Sequence, residues 1–195
     1  VSTWLGFFDI FDTPKRVSEV ENLIKIPMVR QPNDYSCGAC CVQSILSYYG
    51  RELDQKTLEK DTNTSKEAGA DHRDIIKCFK SKGLEVELQK GMLLSDLQLF
   101  IDEEVPVIVM IQAWAKNPTD LEKGWNNGHY VVVIGYDENN IYCMDPSVLG
   151  NYAYLKRDEF LKRWHDQDMD IKLRQAGIIV KGVKMYDADR VKKIL

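Results

Sequence analysis

A chain of 195 residues is long enough for one domain with a real core, or for a domain with an appendage. Its 44% apolar and 29% charged residues exclude a disordered chain, and a formal net charge of −4 argues against nucleic-acid binding as the main business. The longest apolar run, Val105 to Ala115, contains Pro106 and Gln112 and is too short to span a bilayer.

Taken in order, residues 1–29 are expected to be an extension that packs on the domain. Trp4, Leu5, Phe7, Phe8, Ile10 and Phe11 form an apolar patch without the Lys/Arg-rich face of an interfacial helix. No basic stretch followed by an apolar core precedes it, so no signal peptide is expected. Val17 to Ile26 has the spacing of a short amphipathic helix closed by Pro27. Residues 30–183 are expected to form the domain, and 184–195 a tail or final helix.

Within the domain, the apolar spacing predicts a helix over Ala39–Tyr49 and a short one over Leu53–Asp61, capped by Asp54. Thr62–Ala70 is a polar loop, followed by a helix over Asp71–Ser81 that ends at Gly83. Leu84–Leu88 alternates like a half-exposed strand, and Ser95 is placed to cap a helix through Glu104. The second half changes character. Strands are expected at Val107–Ile111, His129–Tyr136, Ile141–Met144, Tyr152–Leu155 and Ala176–Val180. Glu138-Asn139-Asn140 is a hairpin-type turn, Trp114–Gly128 a long polar connection, and Arg157–Trp164 a helix. Helices first and then a mostly antiparallel sheet is an α+β arrangement.

The five cysteines are Cys37, Cys40, Cys41, Cys78 and Cys143. An odd number with two adjacent residues is not a disulfide framework, so a reducing compartment is expected. The spacing matches no zinc site, and nothing else in the chain calls for a metal or cofactor.

Chemistry concentrates where the polar run Gln31-Pro32-Asn33-Asp34-Tyr35-Ser36 gives way to Cys37 and a helix pattern. Backbone N–H groups at a helix start stabilise negative charge, which favours the reactive form of a thiol. Gln31, six residues upstream, has a side-chain amide suited to holding an oxyanion. A nucleophilic cysteine also needs a base, and that base an orienting group. Of the three histidines, His72 and His165 lie in charged surroundings and are expected at the surface. His129 opens the strongest strand and is the candidate base; without Cys37 it would read as a structural histidine. Behind it, Asp137 is eight residues along the same strand, about 26 Å away if the strand is straight. Asp145 returns toward His129 across the hairpin, yet by simple register falls three to five residues short, so it needs a bulge or strong twist. Its competing role is a turn residue ending a strand before Pro146.

Gln31 with Tyr35-Ser36-Cys37-Gly38, then Gly128-His129-Tyr130 through Gly135-Tyr136-Asp137, then Met144-Asp145-Pro146, resembles the bacteriocin-processing cysteine peptidase family. The resemblance covers roughly Pro27 to Trp164. It implies a papain-like fold and cleavage of peptides after a double-glycine leader, usually by the N-terminal domain of a transporter. It also implies the roles of nucleophile for Cys37, general base for His129, orienting acid for Asp145 and oxyanion amide for Gln31. The chain departs from the family by lacking transmembrane segments and a phosphate-binding G-x-x-x-x-G-K-[ST] motif, by Ser36 where an acidic residue is common, and by a longer Trp114–Gly128 connection. The expected activity is therefore that of a stand-alone cysteine peptidase acting on a peptide or protein. The same residues also support deamidation, transglutamination or other acyl transfer, and a non-catalytic peptide-binding module is the third reading.

Overall fold

The computed structural model describes residues 15–114, 118–168, 171–191 and 193. The aromatic patch Trp4–Phe11 and the end of the expected C-terminal tail or helix lie outside them. A 3-10 turn (Val17–Glu19) and a two-residue strand β1 (Asn22–Leu23) precede helices α1 (Cys37–Tyr48), α2 (Gln55–Asp61) and α3 (His72–Ser81). Then come β2 (Glu85–Gln89), α4 (Leu94–Asp102), β3 (Val107–Gln112), α5 (Pro118–Lys123) and β4 (Gly128–Tyr136). β5 (Asn140–Met144), β6 (Ala153–Lys156), α6 (Arg157–Arg163), β7 (His165–Asp168), β8 (Ile171–Arg174) and β9 (Gly177–Lys181) complete the order. No helix among the described residues is long and apolar enough to cross a membrane.

The main sheet has seven strands in the order β2-β9-β3-β4-β5-β6, with β1 paired to β4, and every pairing is antiparallel. β4 sits inside it and is buried from His129 to Gly135. Helix α1 lies against β4 and is buried over most of its surface, with Ala39, Cys41, Val42, Ile45 and Leu46 fully inaccessible. The close approach depends on Gly38, where an added Cβ would meet Ala70 Cβ at 3.0 Å, Ile75 Cδ1 at 3.1 Å and the Tyr130 ring at 3.3 Å. The start of α1 is thereby pressed against the start of β4.

Local chemistry sets several boundaries. Asp54 accepts the Thr57 N–H and starts α2, and Asp71 accepts the Arg73 N–H and starts α3. Gly83, with φ +71°, follows α3. Several expectations change. Ser95 lies inside the first turn of α4, whose cap is made by Asp96 accepting the Leu93 N–H. Val17–Ile26 is not a helix: Asn22 and Leu23 pair with Tyr136 and Gly135, and Ile24 donates to Ile134 O. That end of β4 runs past β3, whose pairing stops at Val107–Val133, so backbone groups there need partners. Of the tail or final helix expected over 184–195, the described residues 187–191 are not helical. His72 and His165 are buried, at 3% and 2% exposure, because distant groups receive them. His72 Nδ1 lies 2.6 Å from Asp168, and His165 Nε2 2.9 Å from Gly124 O. The β7–β8 ribbon that carries Asp168 and His165 was not foreseen, because its charged residues hide the alternation.

Candidate active site

Cys37 is the first residue of α1, and the preceding Ser36 makes no side-chain cap bond to the helix. The Ser36 hydroxyl turns instead to Asn33 and Glu59, which anchors the polar run on α2. Cys37 is 8% exposed and lines a cleft with Gly128 and Tyr130 from the start of β4. His129 lies next to Gly128 on that strand and is 1% exposed.

His129 Nε2 is 2.7 Å from Asp145 Oδ1. The pairing of β4 with β5 explains how Asp145 reaches it. Tyr136 opposes Ile141 and Gly135 opposes Tyr142, but the register then shifts, and Val133 opposes Cys143 and Val132 opposes Met144. Continued by one residue, Asp145 stands beside Val131, on the same face as His129. Without the shift it would stand beside Val132 and point to the other face. One bulged residue thus turns Asp145 to the face of His129, and the two-residue offset that remains is a diagonal that side chains can span. Asp137 is elsewhere, pairing with Lys15 and accepting from the Tyr142 hydroxyl.

The electrostatics of the pair follow from burial and neighbours. Burial alone would depress the His129 pKa, but the ring N–H donated to Asp145, with the nearby sulfur of Cys37, outweighs it and raises it to about 9. Burial likewise favours the neutral Asp145 carboxyl, yet His129 and the Ser147 N–H at 2.7 Å hold its pKa below the usual value. His129 Nδ1 is buried and makes no full hydrogen bond. It is the ring nitrogen not taken by Asp145 and so the one open to Cys37; catalytic hydrogen bonds often tighten only when substrate binds.

Gln31 is tied to the same corner. Its backbone N–H donates to Pro146 O at 2.9 Å, and its side-chain amide donates to Asn33 O at 2.8 Å. An amide nitrogen carries a second N–H. The Arg30 guanidinium also donates to Pro146 O, at 3.0 Å, so the Gln31 loop is pinned to the segment that carries Asp145.

Three residues of this region escape a reading of the sequence. The Trp114 ring covers His129, with centroids 4.4 Å apart, while remaining 58% exposed itself. Its φ of +57° is unusual for a bulky residue and turns the chain as it leaves β3. Gln112, fully buried, donates to His165 O at 3.1 Å and to Asp166 Oδ1 at 2.9 Å, and accepts the Asn127 N–H at 3.0 Å. It fastens the end of the 114–128 connection beside β4. A lone amide in an otherwise apolar strand was the available signal. Asp166 lies on β7 against Gly128, and no local pattern marks it.

The profile of the peptidase C39 family matches residues 25–169. The chain belongs to the peptidase C39 family. It is 26% identical over 176 residues to a probable functional amyloid protease, FapD, of Pseudomonas fluorescens, a match spanning 84% of this chain and 70% of that protein. The peptidase domain of Streptococcus ComA, a bi-functional ABC transporter involved in a quorum sensing pathway, superposes with TM-score 0.60 and 20% identity, over 82% of this chain and 99% of that one. A double glycine motif protease from an AMS/PCAT transporter, solved in complex with the leader peptide, gives TM-score 0.53 and 20% identity, over 83% and 94% of the two chains. The C39 chain has the papain-like α+β fold of these peptidase domains and is a cysteine peptidase.

In this C39 peptidase the Trp114 ring lies against the His129 ring that meets Asp145, and it is expected to position that ring and keep water from it. A hydrogen bond to a charged group is stronger where water is excluded. Trp114→Ala is expected to lower kcat/KM by about 10-fold, within the range set by a misplaced general acid–base. Trp114→Phe should restore most of the loss, since a ring still covers His129. Equal losses in both variants would assign Trp114 a merely structural role.

Proposed function

We propose that this peptidase cleaves a peptide bond with Cys37 as nucleophile, His129 as general acid and base, Asp145 as the orienting carboxylate and Gln31 as the oxyanion donor. The observation that carries the reading is the position of His129. Asp145 takes Nε2 at 2.7 Å, Cys37 is the group left for Nδ1, and the ring holds its proton up to about 9. At neutral pH the imidazolium is therefore in place to give up its proton, and the thiolate is the form of Cys37 that attacks.

The Cys37 sulfur adds to the scissile carbonyl carbon, and the carbonyl π electrons move to oxygen. The Cys37 backbone N–H at the start of α1 and the free side-chain N–H of Gln31 receive that oxyanion. As the tetrahedral intermediate collapses, the C–N bond breaks and His129 gives its proton from Nδ1 to the leaving amine. The thioester is then hydrolysed: His129, now neutral, takes a proton from water, and the hydroxide adds to the acyl carbon. Collapse expels the thiolate, which is again paired with the imidazolium. Asp145, itself fixed by the Ser147 N–H, holds the ring in one orientation through both steps.

The substrate is an extended peptide segment laid across the cleft beside Cys37, a reading supported by the double glycine motif protease solved in complex with the leader peptide. The test of the oxyanion role is Gln31→Ala, expected to reduce kcat by about 10²–10³-fold with little change in KM, the usual effect of removing one such donor. An unchanged kcat would remove Gln31 from the mechanism. A raised KM at constant kcat would make it a binding residue instead.

A further inference from the structure

A cavity of about 350 Å³ opens beside Cys37, walled by the 66–70 loop, Tyr130 and β7. Its lining carries four carboxylates, Asp34, Glu67, Asp166 and Asp168, against one cation, Lys66. They are not equivalent. Asp34, Lys66 and Glu67 are exposed at the mouth. Asp168 is committed inside the protein, accepting the His72 N–H at 2.7 Å and the Tyr130 hydroxyl at 3.2 Å and contacting His72 Nδ1 at 2.6 Å.

Asp166 is different. It is only 9% exposed, yet it faces the cavity and has no ion-pair partner among the described residues. Gln112 fixes its Oδ1 at 2.9 Å. Its other oxygen lies against Gly128, so close that a Cβ on that residue would stand 2.2 Å from Oδ2. The carboxylate is thus held beside the backbone that leads into His129. The cations of the neighbouring strand, Lys172 and Arg174, are drawn away over the Trp125 ring, at 4.7 and 4.6 Å. Burial raises the carboxyl to about 6, outweighing the Gln167 N–H, the Gln112 amide and the more distant His129 charge, which all lower it. An acceptor for Gln112 alone would not need a charge: an asparagine oxygen at 166 would serve and avoid the cost of burying an ion.

We infer that the cavity beside Cys37 receives a lysine or arginine side chain of the peptide substrate and that the Asp166 carboxylate pairs with it. The inference rests on the nucleophile assignment above. It makes Asp166 a specificity-determining residue, selecting cationic peptides within a few residues of the scissile bond. The pairing is strong because the carboxylate is already desolvated and held in place, so the incoming cation meets a fixed partner rather than a solvated one.

The experiment uses the native protein and internally quenched peptides carrying lysine, arginine, norleucine, glutamine or glutamate at each of several positions around the cut. Lysine or arginine at one position is expected to raise kcat/KM over norleucine by about 10-fold or more, the scale of a desolvated charge pair. Acetyl-lysine at that position should lose the advantage, a check that needs no protein variant. Asp166→Asn should bring the lysine-to-norleucine ratio to near one. A native ratio near one at every position, or an unchanged ratio in Asp166→Asn, overturns the inference. In parallel, fluorescein-labelled lysine and norleucine peptides are titrated against Cys37→Ala and read by anisotropy. Tighter binding of the lysine peptide, with no cleavage by the native protein, would uphold the cationic site and sink the nucleophile assignment. Cleavage without charge preference would do the reverse, and equal binding of the two peptides, including none, counts against the cationic site.

Discussion

Cys37→Ala is expected to abolish peptide hydrolysis, lowering kcat/KM by at least about 10⁴-fold, because removing the nucleophile leaves only binding and oxyanion contacts. The fold should survive. Cys37 is small, and alanine keeps both its Cβ and its place at the start of α1, so little packing is lost. The four remaining thiols, Cys40, Cys41, Cys78 and Cys143, are buried, and burial pushes each of them above the ordinary thiol range. None is suited to stand in. The measurement is steady-state cleavage of quenched peptides, with thermal unfolding as a control. Residual activity above one percent or so of wild type, from a folded variant, would move the nucleophile elsewhere.

His129→Ala is the second large effect, a loss of about 10³-fold or more in kcat/KM, since one group supplies both the acid and the base. The same residue sets an alkaline limit in the unmodified enzyme. The His129 pKa is raised to about 9, so the proton needed by the leaving amine is present below that value and is lost as pH rises through it. A plot of log kcat/KM against pH should therefore bend downward near 9, well above the ~6.5 of an ordinary histidine. A bend near 6.5 would mean that Asp145 and Cys37 do not support the imidazolium. Full activity in His129→Ala would remove the residue from the chemistry altogether.

Much of the fold is legible in hydrophobic spacing. The run from Tyr130 to Ile134 is β-branched or aromatic throughout, and only a buried strand uses such a run well. Asp54 and Asp71 announce the helices they cap. The break from a polar run to helical spacing at Cys37 marks the start of α1 to within two residues. What is not legible depends on pairing rather than on local pattern. The contact between His129 and Asp145 requires a bulge between Val133 and Gly135, and a bulge belongs to two strands together. His72 and His165 stand among charged residues in sequence but are buried by Asp168 and by Gly124 O, which come from 96 and 41 residues away. Val17–Ile26 has a helix-compatible spacing, yet the unpaired end of β4 draws Asn22 and Leu23 into the sheet. Trp114 and Asp166 acquire meaning only when their neighbours are known. Trp114 lies 15 residues before the ring it covers, and Asp166 lies on a ribbon whose alternation its charges conceal.

The proposed triad turns on a His129 ring that is charged at neutral pH between Cys37 and Asp145, and ¹⁵N NMR of that ring tests it most directly. In wild type, both ring nitrogens should be protonated at pH 7, with the proton lost near 9. In Cys37→Ala the support of the sulfur is gone while burial remains, so the midpoint should fall. A ring that is neutral at pH 7 in wild type, or the same midpoint in both proteins, would contradict that role of Cys37 and Asp145 in holding the proton on His129.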